Sequence, residues 1–418
     1  MGTDVGVSTV SPENGSINDG KQLVKDARED GGIEDEDFGI LFTSTRFDFK
    51  SLVEGVDQEI GSEWIGGTTV AEISSEGSED GSAVLMLVKS EEVSFASVSS
   101  TPVSEGAEDA AKKAVEGIED EFDSDLNNML FTLVPGFTIE KDGREFKFLK
   151  GLEKQLEKDI KITGGSTGDA HNLKENYQIK NGEIFKDNAV MAFIKTENVI
   201  ETGMGHGFQD SVKTGVVTDA DGRMVKEISG EPAAEFYADA IDVDVDELDQ
   251  IYDTKLSEKL SVGLYYLYLK LMRKNPNMFD EILHYSLESS IAQQIQPGKY
   301  RIIAPLEVKK GGIKLMDKVQ EGQTVDVLET DKQSVINAGR EAFSDINPED
   351  VLFGLIADCA NRHMILDEDE RDEEIRGVAD QIGENMIGFY GEGEIGDGGL
   401  GMCTFMSQTL TGFVVKKE

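Results

Sequence analysis

The sequence predicts an α/β fold, with α+β left open, in which repeated β-α-β-β units form mixed sheets covered by helices, in two lobes. Three observations predict it. Three stretches of the chain follow one pattern of apolar strand, amphipathic helix, short apolar strand with a glycine-rich turn, and closing apolar strand. The strand candidates are continuous apolar runs, as buried strands are. Hydrophobic residues make up 38% of the 418 residues, enough for sizeable cores and two or three domains.

Taken in order, residues 1–36 read as an N-terminal segment, partly flexible. The first unit has the strand "FGILFTS" (Phe38 to Ser44), a helical run to Ile60, "WIGGTTVAEI" and "SAVLMLV". A connector, "KSEEVSFASVSSTPVSEGAEDAAKKAVEG", reads as strand, loop and helix. The second unit has "NMLFTLVPG", a helix near "FLKGLEKQLEKD", "KITGGSTGD" and "NAVMAFI". The acidic stretch from Tyr237 to Asp253 is the inter-domain boundary. It separates a domain over 37–237 from one over 254–418, with 238–253 as linker. Beyond it, "SVGLYYLYLKLM" and "MFDEILHYSL" read as helices. "KYRIIAPLEV", "GIKLMDKV" and "TVDVLETD" read as a hairpin-like set of strands, and "KQSVINAGREAF" as a helix. The third unit has "LFGLIADCA", "RDEEIRGVADQIG", "MIGFYGEGEIG" and "QTLTGFVV". Its helix carries Ile375, Val378, Ala379 and Ile382 at spacings of three and four, which makes one apolar face.

Charge bounds the partners. There are 83 acidic against 40 basic residues, a formal charge of −43. That field repels nucleic-acid phosphates and anionic headgroups, which disfavours nucleic-acid and membrane-surface roles. The acids are scattered, so the whole surface is acidic. Its self-repulsion is relieved when molar salt shortens the Debye length to about 3 Å. A halophilic host is the simplest account, although 30 lysines against 10 arginines fits it poorly. Cys359 and Cys403 make no disulfide framework, and the N-terminus has no basic stretch before an apolar core. The longest apolar run, "VGLYYLYL", is far below the about 20 residues of a membrane span. A cytoplasmic protein without membrane insertion is expected.

An ordered set of motifs then resembles the FIST domain family, in its N-terminal part through "WIGGTTVAEI", "ITGGSTGD", "GMGHGF" and "VKEISGEPAAEFY". Its C-terminal part is matched by "GGIKLMDKVQEGQTVDVLETD", "GLIADCANR", "IGFYGEGEIG" and "QTLTGFVV". The resemblance covers about residues 37 to 418. It implies a sensory input module that binds a small polar ligand such as an amino acid. It also implies a separate signalling partner of histidine kinase or chemoreceptor type. One branch of the family binds haem and senses nitric oxide, which makes haem the alternative to an expectation of no cofactor. The chain departs from the family in a longer link between its two parts and in carrying no output domain.

Within "GFYGEGEIGDGGLG", Gly391, Gly393 and Gly396 spell a dinucleotide fingerprint. No amphipathic helix follows, and Glu392, Glu394 and Asp397 would repel a phosphate. The glycines therefore read as a turn or close backbone approach, and Glu394, aligned with Glu72 of the first unit, as a candidate pocket carboxylate. Gly66-Gly67 and Gly164-Gly165 either pack a turn or present amides as an anion nest. In "DCANR", Arg362 either clamps a ligand carboxylate or pairs with Asp358 or another nearby acid, and Cys359, a small buried hydrophobe more than a nucleophile, joins it among the candidate ligand-binding residues. His206, between glycines in "GMGHGF", is the leading single ligand contact. "DVDVDE" has Glu247 where a calcium loop needs glycine. No nucleophile–base pair or metal motif stands out, so no metal site and no enzyme are expected; a ligand-free interaction scaffold is a further alternative.

Overall fold

A computed structural model describes residues 2–138, 143–156, 160–209, 211–246, 248, 287–296, 299–396 and 403–417. The helices expected in "SVGLYYLYLKLM" and "MFDEILHYSL" lie outside the described residues.

Three units share one element order. The first runs β1 (Thr3–Val10), α1 (Ile17–Gly31), β2 (Phe38–Thr43), α2 (Phe49–Glu59), β3 (Glu63–Thr68), β4 (Ala71–Ser74), β5 (Gly77–Glu79) and β6 (Ala83–Ser90). The second runs β7 (Val93–Pro102), α3 (Ala107–Glu116), β8 (Asn127–Val134), α4 (Glu145–Gln155), β9 (Lys161–Ser166), β10 (Gln178–Lys180), β11 (Glu183–Phe185) and β12 (Asn188–Thr196). The third opens with β13 (Val199–Gly205) and is interrupted by an insertion. The insertion holds β14 (Ser211–Asp221), β15 (Met224–Ile228), β16 (Glu231–Pro232), α5 (Ala233–Ala240), β17 (Ser289–Gln296), β18 (Lys299–Ile303), β19 (Pro305–Lys309), β20 (Gly312–Leu315) and β21 (Thr324–Glu329). The unit resumes with α6 (Lys332–Glu341), β22 (Val351–Cys359), α7 (Ala360–Ile365), α8 (Glu368–Ile382), β23 (Met386–Gly391), β24 (Glu394–Gly396), β25 (Thr404–Met406) and β26 (Leu410–Lys416).

The fold is mixed α/β, as the apolar runs predict. Each unit pairs its first two core strands in parallel: β2 with β3, β8 with β9, β22 with β23. The closing strand returns antiparallel on the other side, as β6, β12 and β26. The opening strands β1, β7 and β13 then extend each sheet. Residues 1–36, expected to be partly flexible, thus hold a strand and a helix: β1 pairs with β6 over its whole length, and Leu23, Val24 and Ala27 of α1 are buried.

The short hairpins leave their own units. β4–β5 completes the third unit's sheet against β23, β10–β11 completes the first unit's against β3, and β24–β25 completes the second unit's against β9. The sheets of the second and third units and that of the insertion therefore contain strands from both sides of 238–253, so the expected boundary there falls within these sheets. Within that stretch Ile241 and Leu248 join the core beneath the insertion.

The paired glycines serve this exchange. A Cβ on Gly66 would run into the Leu41 carbonyl, and one on Gly164 into the Thr132 carbonyl. Gly67 faces Thr167, and Gly165 faces the Gly393 carbonyl. All four lie in strands paired on both sides, so their backbone is committed to sheet ladders and forms no anion nest.

Candidate functional site

β13 ends at Gly205, and the chain runs on through His206 to Gln209 along α6. Glycine permits this course. A Cβ on Gly205 would strike the Ala338 carbonyl, and Gly207, at φ 76°, lies on the Ser334 carbonyl. The close approach that "GMGHGF" signals is thus to a helix. Beside it opens a groove of about 420 Å³, whose lining includes His206, Phe208, Lys299, Ser334, Asn337 and Glu341.

His206 accepts the Phe208 backbone N–H at Nδ1, 3.0 Å away, so Nε2 carries the ring proton. Burial, helped by the nearby Arg362 charge, lowers its pKa to about 4. At neutral pH the imidazole is a neutral donor. Gln209 donates to the Ser334 hydroxyl at 2.9 Å, and the Thr330 hydroxyl donates to the Gly207 carbonyl at 2.8 Å, which fixes the segment at both ends.

Beneath the groove lies a buried ionic cluster. β22 passes directly into α7, which brings Arg362 one turn beyond Asp358, with Nε 2.7 Å from Oδ1. The guanidinium also pairs with Glu374 of α8 and donates to the carbonyls of Val335 at 3.0 Å and His206 at 3.3 Å. The three charged side chains have no exposure. One cation cannot neutralise two buried carboxylates. Burial pushes Asp358 up to about 6 and Glu374 up to about 8 against the pull of Arg362, so the pair retains a proton near neutrality. Burial pulls Arg362 down, and Glu374 and Asp358 more than offset it. Arg362 is therefore spent on internal partners and does not serve as a ligand clamp.

A second polar junction joins all three units. His363 of α7 meets Asp80, from the loop after β5, at 2.7 Å, and His171, from the loop after β9, at 3.3 Å. His171 stands at φ 61°, between Ala170 at 45° and Leu173 at 57°, an uncommon run of left-handed non-glycine residues. The Tyr390 ring packs edge-on against His363.

The remaining predicted residues are dispersed. Cys359 is buried, and its sulfur accepts the Gln408 N–H at 3.1 Å. Glu72 is buried, bonds Thr69 and Ser82, and borders a separate cavity of about 260 Å³ that also takes in Glu76, Glu79, Glu368 and Asp372. Glu394 bonds the Thr409 hydroxyl at 2.9 Å. The sheet register sets Glu394 opposite Gly165 and Glu72 opposite Phe389, each one residue beyond a glycine (Gly164, Gly388) that packs on the carbonyl of the preceding core strand, so Glu394 is the equivalent of Glu72, as the sequence alignment of the units expects. The two carboxylates share no hydrogen-bond partner. Gly391 and Gly393 bring the β23–β24 connection against the Ser166 carbonyl and the Phe405 ring, and residues 397–402 lie outside the described residues.

Sequence reasoning missed Glu374 and the groove wall of α6. Glu374 had a signal: it stands four residues before Val378, on the stripe that buries the helix. Ser334, Asn337 and Glu341 lie on a helix face whose meaning depends on β18, far away in sequence. Among the described residues, no group of three or more His, Cys, Asp or Glu side chains is arranged to hold a metal ion, and no helix is long and apolar enough to cross a membrane.

The family model of the FIST N domain matches residues 37–231, and that of the FIST C domain matches residues 233–397. A protein of Methanocaldococcus jannaschii described as uncharacterized is 30% identical over 82 residues, which span 20% of this chain and 16% of that protein. Among solved structures, cyanuric acid hydrolase from A. caulinodans matches with a TM-score of 0.26 and 10% identity, over 47% of this chain and 71% of that one. A second cyanuric acid hydrolase, described as an evolutionary innovation by structural concatenation, matches with a TM-score of 0.33 and 10% identity over the whole of both chains. These neighbours are enzymes, and the expectation that this chain is not an enzyme is withdrawn on that finding. At such TM-scores they carry no argument about a reaction or a substrate.

Proposed function

From the premise that this chain belongs to the FIST family, as a FIST N domain followed by a FIST C domain, we propose that it senses a small zwitterion, by chemistry an amino acid, in the groove beside His206. FIST domains are sensory domains, which sets the class as signal-transduction sensing. The observation that carries the ligand reading is the groove's lining. Lys299 and Glu341 supply opposite charges, for a carboxylate and an ammonium. Phe208 and Tyr300 supply apolar surface, and neutral His206 and Asn337 supply hydrogen-bonding groups. Its volume of about 420 Å³ falls within the usual range for small-molecule sites. A cytoplasmic setting and a separate signalling protein of histidine kinase or chemoreceptor type complete the proposal.

The test is calorimetry of the full chain in molar potassium chloride against each of the twenty proteinogenic amino acids. At least one is expected to bind, and Glu341→Gln is expected to weaken it by roughly tenfold, the usual effect of losing one charge-assisted hydrogen bond. No heat from any of the twenty would sink the ligand reading. A Soret band on adding haem, removed by His206→Ala, would replace it with the haem alternative.

A further inference from the structure

We propose that Arg362 is the positioning residue of the groove: its guanidinium holds both walls at once and ties them to α8, so that occupancy of the groove is transmitted to that helix. The proposal rests on the groove being the ligand site.

The two walls come from different elements. One is the segment leaving β13, whose His206 carbonyl accepts from Nη1 at 3.3 Å. The other is α6, whose Val335 carbonyl accepts from Nη2 at 3.0 Å, one residue from the groove-lining Ser334. A guanidinium is a rigid plane with five N–H donors, so carbonyls held by its two ends keep a fixed separation. The same plane meets Asp358 through Nε and Glu374 through Nη2. The side chain is fully buried, so bulk solvent does not reach these contacts.

Glu374 extends the connection. It lies on α8, which also grips the β4–β5 hairpin: Asp372 accepts the Ser78 N–H at 3.1 Å, and Arg376 donates to the Glu76 carbonyl at 3.1 Å. That hairpin belongs to the first unit but pairs with β23 of the third. A displacement of either wall therefore has a continuous path through Arg362 and Glu374 to the β4–β5 edge of the sheet whose opposite edge is β13. Lysine could supply the charge at position 362 but not the two-ended span.

The test uses the full chain, with hydrogen exchange read by segment and the His206 ring read by NMR across pH. Arg362→Lys is expected to raise exchange roughly tenfold in residues 204–209 and 332–341 together, with residues 83–90 unchanged. His206 should keep its low titration midpoint in that variant, because the positive charge remains. Arg362→Met is expected to add a rise of that midpoint from about 4 toward the ordinary histidine value. If neither variant folds, Glu374→Gln is the milder probe, with faster exchange expected in both walls and in α8. Wild-type exchange in either wall of the folded variants overturns the proposal, as does an unmoved His206 midpoint in Arg362→Met. A protein that shows the split yet binds no amino acid loses the ligand reading and keeps Arg362 as the positioning residue. One that binds an amino acid yet shows no split does the reverse.

Discussion

Glu72 shows how burial can dominate a residue's chemistry. Its carboxyl group bonds Thr69 and Ser82, yet burial pushes its pKa up to about 7 from an ordinary value near 4.5. The folded state thus holds this proton more tightly than the unfolded chain does. The stability tied to it is complete below about pH 4.5 and is lost as pH rises through about 7. Glu72→Gln removes that dependence, so urea unfolding should find the variant more stable than wild type at pH 8 by on the order of 3 kcal/mol, with the gap closing by pH 4.5. A gap that does not change with pH would show that packing, and not ionisation, governs the site. At this scale the sequence was half legible. The i,i+4 spacing in "DCANR" exposes the Asp358–Arg362 pair. Glu374 escaped because the helix was read for its apolar positions, and a charge on that stripe acquires meaning only once Arg362 lies opposite.

Among the elements, α1 and α2 show what two glycines do. They cross where Gly20 meets the Leu52 carbonyl and Gly55 meets the Ile17 carbonyl, closer than any Cβ allows. Alanine is the better helix former by about 1 kcal/mol, yet Gly20→Ala and Gly55→Ala are each expected to destabilise the protein by about 1–3 kcal/mol, because the helices must separate. Thermal unfolding of each variant checks this, and a rise in midpoint would mean the crossing is slack. The core strands and the covering helices of the three units are legible because periodicity is local. The hairpins are not. A three-residue strand such as Gln178–Lys180 carries no mark of its partner, and its pairing with β3 is decided by tertiary packing. β1 was passed over for a related reason: it is only half buried and pairs with a strand some eighty residues further along.

Across the molecule, a charge of −43 opposes compactness. Raising potassium chloride from 0.1 to 2 M should therefore raise the unfolding midpoint by several degrees, as the Debye length falls from about 10 Å to below about 3 Å. A flat or falling midpoint would remove the halophilic host as the account of the acidity. The hairpin exchange has its own consequence at this scale. Each unit lends its small hairpin to one neighbour and borrows one from the other, so the debt runs in a circle with no first creditor. Damage to one unit leaves its own sheet incomplete and strips the edge of another. The molecule therefore has no part that can be excised whole, and a half-chain ending at residue 198 would present two bare strand edges, one on β9, which loses β24, and one on β4, which loses β23.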